Sequence, residues 1–169
     1  LVDGRDIDAW KAAVRPETKV LFLETPSNPL LEIVDMQAVA DLAHENGARL
    51  VVDNVFASSI LQRPTDFGAD IVVYSATKHI DGQGRCLGGV ILGDQSFIQD
   101  ELANFLRQTG PSLSPFNAWV MLKALETLAL RVDAHCHNAE KVTELLVNHP
   151  QIERVYYPSH ASHPQHELA

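Results

Sequence analysis

Three short apolar runs constrain this chain most: Lys19-Val-Leu-Phe-Leu23, Arg49-Leu-Val-Val52 and Ile71-Val-Val-Tyr74. None alternates apolar with polar residues, so none reads as a strand with one wet face. Continuous apolar runs of this length mark strands buried on both sides, the usual state of a parallel sheet covered by helices. Between the first two runs, Met36, Val39, Ala40 and Ala43 fall at i, i+3, i+4 and i+7, the stripe of an amphipathic helix. Asp35 suits its N-cap and Gly47 its C-terminal stop. Gly89-Val-Ile-Leu92 reads as a fourth strand. The chain then turns helical: Ile98, Leu102 and Phe105 share one face. Ser114-Pro115 opens a helix with the stripe Ala118, Met121, Leu122, Leu125 and Ala129. Val132, Cys136, Ala139, Val142 and Leu146 stripe another, ended by Pro150. Gln151 to Tyr157 reads as the beginning of a further strand, and Pro158 to Ala169 as a connection. The pattern predicts an α/β fold: a mostly parallel sheet flanked by helices.

Composition excludes several classes of partner. Hydrophobic residues make up 46% of the 169, so the chain carries enough apolar surface for a core. Thirteen Lys and Arg stand against 22 Asp and Glu, a net charge of −9. An acidic chain without a basic run is a poor ligand for nucleic acid or an anionic membrane surface. No apolar run is long enough to span a bilayer. Two isolated cysteines, Cys86 and Cys136, suit a reducing compartment, so a cytoplasmic location is expected. The start, Leu1-Val-Asp-Gly-Arg5, lacks an initiator Met and a signal-peptide layout and reads as part of a longer protein.

Function is written where the runs end. The first runs into Glu24-Thr-Pro-Ser-Asn28-Pro29, the second into Asp53-Asn54, and the third into Ser75-Ala-Thr77-Lys78-His79. In open parallel sheets ligands bind outside the carboxyl ends of the strands, so these groups would converge on one rim. Hydroxyls such as Ser75 and Thr77 can donate to a phosphate. A lysine amine can condense with an aldehyde. A carboxylate such as Asp53 can keep a pyridine nitrogen protonated, which makes the ring an electron acceptor. Lysine, hydroxyls and carboxylate together suit pyridoxal 5′-phosphate. Each also has an ordinary reading: Lys78 as a solvated lysine, Asp53 as a turn cap, Asn28 as support for a proline-flanked turn. Other motifs carry less. Gly82-Gln-Gly84-Arg85-Cys86-Leu87 has Leu87 where a dinucleotide fingerprint needs glycine. His160, His163 and His166 lack a Cys or carboxylate framework, and no metal is expected.

Four segments taken together resemble a known family: Glu24-Thr-Pro-Ser-Asn-Pro29, Val52-Asp-Asn-Val-Phe56, Leu61-Gln-Arg-Pro64 and Gly68-Ala-Asp-Ile-Val-Val-Tyr-Ser-Ala-Thr-Lys78. It is the Cys/Met-metabolism family of pyridoxal-phosphate enzymes, with its cystathionine synthases and lyases, methionine γ-lyases and homoserine-ester sulfhydrylases. The resemblance implies the large domain of a fold-type I enzyme over residues 1–148 and the start of a truncated small domain over 149–169. It implies Lys78 as Schiff-base lysine and proton carrier, Asp53 as partner of the pyridine nitrogen, Ser75 and Thr77 as phosphate ligands, and Asn28 beside the phenolic oxygen. Glu24 matches the motif without an assigned step. Thr77 to Gly89 and Thr109 to Trp119 look most like the branch that joins O-succinylhomoserine and sulfide into homocysteine in methionine biosynthesis. Val55, Ser58, Ser59, His79 and Arg85 depart from other branches. The resemblance further implies a homotetramer, and a phosphate loop, a ring-stacking tyrosine and a carboxylate-binding arginine supplied from outside this stretch. Alternatives are a sister reaction of the family, a non-catalytic nucleotide-binding α/β domain, and an assembly surface built on the apolar helices from Ile98 to Leu130.

Overall fold

The computed structural model describes Leu1–Ala169. The three apolar runs form β1 (Val20–Glu24), β2 (Arg49–Asp53) and β3 (Ile71–Ser75), and β4 (Gly89–Gly93) follows. The order is β1-β2-β3-β4; the first three are parallel and β4 returns antiparallel to β3. The register pairs Glu24 with Asp53 and Asp53 with Val73, so the parallel strands end on one edge.

Alternation gives the sheet two unlike faces. Leu21, Leu23, Leu50, Val52, Val72 and Tyr74 point to one side and form the core with Trp10 and the residues of one helix. That helix is α2 (Met36–Glu45), which buries Met36, Val39, Ala40, Leu42 and Ala43. Asp35 caps it, its Oδ1 accepting from the Ala38 N–H at 3.0 Å. At the other end the Ala48 and Gly47 N–H groups donate to Ala43 and His44 carbonyls at 2.9 and 3.1 Å. Gly47 sits at φ +65°, a conformation open to glycine at little cost. On the opposite face Val51 and Ile71 are buried, whereas Val20, Phe22 and Ile91 are exposed. The expected cover on both faces is therefore complete on one side only. Over the start of the strands on the second side lies Phe97, on which Arg49 stacks at 5.2 Å from the ring centre while pairing with Glu101 at 2.7 Å.

Several sequence expectations change. A helix not foreseen, α1 (Ile7–Ala13), is capped by Asp6 and buries Trp10. A single turn of helix, α3 (Ser58–Leu61), and a 3₁₀ turn (Pro64–Phe67) fill the link from β2 to β3. Phe97–Leu102 is a π-helical stretch leading into α4 (Ala103–Thr109), and Phe105 on the expected face is exposed. The stripe from Ala118 to Ala129 does not lie on one helix. The chain turns at Glu126-Thr127, which separates α5 (Pro115–Leu125) from α6 (Leu128–Val147). Val120, Met121, Ala124 and Leu128 are buried there, while Leu122 and Leu125 face solvent. On α6 the buried positions are Leu128, Val132 and Thr143, and Val142 is exposed. Gln151 to Tyr157 contains no strand. Its continuation folds back instead: Gln165 accepts from the Ile33 N–H at 2.9 Å and donates to the Ile33 carbonyl.

Leu50 is wholly buried under α2. Leu50→Ala should lower stability by about 2–5 kcal/mol, read as a shift of the denaturation midpoint of the full-length protein.

Candidate functional site

The polar groups at the strand ends are sorted by the pleat. Asp53 is the last residue of β2 and points to the open face of the sheet, on the side of Val73 and Ser75 of the neighbouring strand. The following Asn54 turns to the core side and is wholly buried. Its amide nitrogen reaches the Ser58 carbonyl at 3.0 Å, the Gln62 carbonyl at 2.9 Å and the Tyr74 hydroxyl at 2.9 Å. Gln62 answers with both amide hydrogens, to Asn54 Oδ1 and to the Thr25 carbonyl, each at 2.8 Å. The ends of β1, β2 and β3 are thereby tied by one buried polar network. Ser58, at φ +60°, is held within it. Such a backbone costs about 1–3 kcal/mol and persists where its surroundings fix it.

On the open side the groups are differently engaged. Asp53 Oδ1 accepts from the Val55 N–H at 3.0 Å, and Oδ2 has no protein partner. Ser75 uses its carbonyl to accept the Lys78 N–H at 3.2 Å and leaves its hydroxyl unpaired. No buried side-chain nitrogen or oxygen lacks a partner, so the free Asp53 and Ser75 oxygens are open to solvent. The Thr77 hydroxyl accepts from the Gly88 N–H at 3.2 Å and stands 3.4 Å from the Gly88 carbonyl. That second contact is long, so its proton is available to a better acceptor. Lys78 is exposed and outside every ion pair. Asn28 is exposed, with its N–H on Glu24 Oε2 at 3.3 Å.

This donor set fits pyridoxal phosphate: an unpaired carboxylate oxygen for a ring N–H, two hydroxyls for a phosphate, and a free amine. Asp53, Ser75, Thr77 and Lys78 come to one edge of the sheet, on β2, β3 and the turn that follows. Asn28 stands apart on the turn after β1. Two cavities lie beside this rim. One of about 360 Å³ is lined by Val55, Ser75, His79, Leu113, Met121 and Leu122 among others; one of about 500 Å³ lies against β1. Neither takes in Lys78 or Asp53.

The loop from Ala76 to Gly88 carries Lys78 and is braced twice. Asp81 is wholly buried; its carboxylate accepts from the Arg85 N–H at 2.7 Å and Nε at 2.9 Å, and from the Gln83 N–H at 3.4 Å. The Arg85 backbone N–H holds the Asp81 carboxyl below the ordinary range, against the opposing pull of burial. Arg131 of α6 spans 52 positions to donate to the His79 carbonyl at 2.7 Å. His79 is half-buried, its ring 6.1 Å from that of His135. Burial first, then His135 and Arg131, pushes its imidazole below its ordinary value. Sequence reading missed Arg131, Gln62 and Tyr74. Their partners are backbone groups or remote amides, which leave no local pattern. Asp81 and Arg85, at i and i+4, offered a legible signal.

The family model of Cys/Met-metabolism PLP-dependent enzymes matches residues 1–169. The chain is similar to an O-succinylhomoserine sulfhydrylase of Pseudomonas aeruginosa, 55% identical over 97% of this chain and 40% of that protein. It is similar to another of that name from Mycobacterium tuberculosis, 52% identical over 99% of this chain and 41% of that protein. Among solved structures it matches a cystathionine γ-lyase of Lactobacillus plantarum complexed with L-serine. There the TM-score is 0.95 and the identity 37%, over 99% of this chain and 44% of that one. The chain thus spans about two fifths of the curated relatives it matches.

His79 binds its proton less readily in the folded state than at its ordinary value of 6.5, so the unfolded chain gains protons first as pH falls. Stability should therefore drop as pH falls through about 6.5 and level off once the folded imidazole is protonated too. Denaturation midpoints of full-length His79→Gln across that window should show a shallower acid-side decline than those of the parent.

Proposed function

The chain belongs to the Cys/Met-metabolism family of pyridoxal-phosphate-dependent enzymes, and on that premise we propose γ-replacement on an activated homoserine ester by the full-length protein. The substrates in this reading are O-succinylhomoserine and sulfide. The Cγ–O bond breaks, succinate departs, a Cγ–S bond forms, and the product is homocysteine. The observation that carries the proposal is the placing of Asp53 and Ser75 on the same open sheet face, with Lys78 in the turn directly after β3. The choice of reaction within the family is supported by the two sulfhydrylase relatives above half identity.

When bound, pyridoxal phosphate supplies an electron sink for charge released at the substrate's Cα. Asp53 Oδ2 is the oxygen that would hold the ring N–H, since Oδ1 already serves the Val55 N–H. The Ser75 and Thr77 hydroxyls would donate to the phosphate, Thr77 giving up its long contact with Gly88. Asn28 would stand near the phenolic oxygen. Lys78 supplies the amine that would hold the cofactor and carry protons at the substrate's Cα and Cβ. Its freedom from ion pairs leaves it able to act as a base once deprotonated.

In this reading residues 1–148 belong to the cofactor-binding large domain, and 149–169 begin a smaller C-terminal domain. The enzyme works in the cytoplasm as a homotetramer, without nucleic-acid or membrane partners. Phe116, Trp119 and Leu122, exposed on α5, support packing against another subunit or segment. No helix is long and apolar enough to cross a membrane.

Borohydride treatment of the full-length protein loaded with cofactor should fix the label on the peptide containing Lys78. Lys78→Ala should lower turnover of O-succinylhomoserine with sulfide by about 10²–10⁴-fold. Asp53→Ala should lower it by about 10²–10³-fold, the scale of losing one preorganised electrostatic partner. Faster turnover of O-acetylhomoserine, preference for cysteine over sulfide, or thiol release from methionine would assign a sister reaction. Full activity in Lys78→Ala would end the proposal.

A further inference from the structure

The guanidinium of Arg131 forms no ion pair; its donors go to uncharged oxygens at a junction of three segments. Nη1 donates to the His79 carbonyl at 2.7 Å, and Nη2 to the Ile80 carbonyl at 3.2 Å and the Ala124 carbonyl at 3.0 Å. Nε donates to the Thr127 hydroxyl at 3.2 Å. The loop after Lys78, the end of α5 and the first turns of α6 are thus held by one planar group.

We propose that Arg131 is a positioning residue for Lys78. It fixes the carbonyls of the two residues that follow the lysine, and so sets the direction in which the lysine side chain leaves the backbone. This rests on the reading of Lys78 as the cofactor lysine and concerns only how that lysine is held. Inside the loop, the Lys78 carbonyl accepts from the Gly82 N–H at 2.7 Å and the Ala76 carbonyl from the Asp81 N–H at 2.8 Å. These bonds close the turn upon itself but do not anchor it to the helical layer. Arg131 supplies that anchor, and charged donors bond carbonyls more strongly than neutral ones. Lysine could not replace it fully, since an ammonium cannot present a planar fork to several acceptors at once.

Gly82 is the second half of the device. It lies at φ +72°, and a Cβ placed there would stand 2.1 Å from Arg131 Nη1 and 2.7 Å from Cζ. Any side chain at position 82 therefore strains the turn and evicts the guanidinium from its seat. Arg131 and Gly82 together allow α6 to reach the loop.

The test uses the full-length protein, with Arg131→Met and Arg131→Lys. In Arg131→Met, kcat should fall by about 10²-fold, the cost of a misplacement near 1 Å, while KM for the ester stays within about twofold. The pH midpoint of the cofactor's visible absorbance band should move, and amide exchange at residues 79–82 of the apoprotein should quicken about tenfold or more. Arg131→Lys should recover part of each change. If Arg131→Met does not fold, Gly82→Ala, which retains the arginine and displaces it, should give the same shifts. A folded variant with the parent's band midpoint and kcat overturns the proposal, even if its melting temperature has dropped. A parent protein in which borohydride fixes no cofactor on Lys78 overturns the functional reading and this inference with it. A parent labelled there, beside variants without effect, overturns this inference alone.

Discussion

Everything in the site depends on a change of side at the end of one strand. Within a strand successive side chains point to opposite faces. Asp53 and Asn54 straddle the last step of that alternation, so a carboxylate goes to the open face and an amide into the core. The amide is then caught by Gln62, Tyr74 and the backbone of Ser58. A buried amide has no alternative partners in water, so leaving one bond unmade is expensive. The network therefore fixes the register of the strand end, and through it the facing of Asp53. A shift by one residue would bury the carboxylate and expose the amide, which opposes both groups' solvation.

The antiparallel return of β4 has a related effect on the other side of the rim. A parallel continuation would need a long crossover, whereas β4 pairs with β3 after only the loop from Ala76 to Gly88. That loop is closed at its ends by the Thr77 hydroxyl on Gly88. It is closed at its middle by Asp81 with Arg85, and fastened from outside by Arg131. The exposed lysine is thus mounted on a braced loop although its own side chain makes no hydrogen bond or ion pair. Such a mounting suits the proton-carrying role proposed for Lys78.

What the sequence disclosed and what it withheld divide along range. The strands and α2 were legible because apolar runs, an aspartate cap and a terminal glycine act within one element. Asp53, Ser75, Thr77 and Lys78 were legible as a set because parallel strands bring their carboxyl ends together. The break between α5 and α6 was not, since that stretch is apolar nearly all round and its periodicity does not choose a face. Val120 and Ala124 are buried there in place of Leu122 and Leu125. The parallel sheet flanked by helices stands as expected, but a continuous apolar strand predicts cover without saying which segment supplies it, so the exposure of Val20 and Phe22 was not legible. Arg131 was invisible for a further reason: three of its four acceptors are carbonyls, which every residue possesses.

The lateral strand β1 holds a last consequence. Its far side offers backbone N–H and C=O groups to no other strand, and Val20 and Phe22 flank them in the open. An unprotected apolar margin of this kind is a template on which further strands can nucleate.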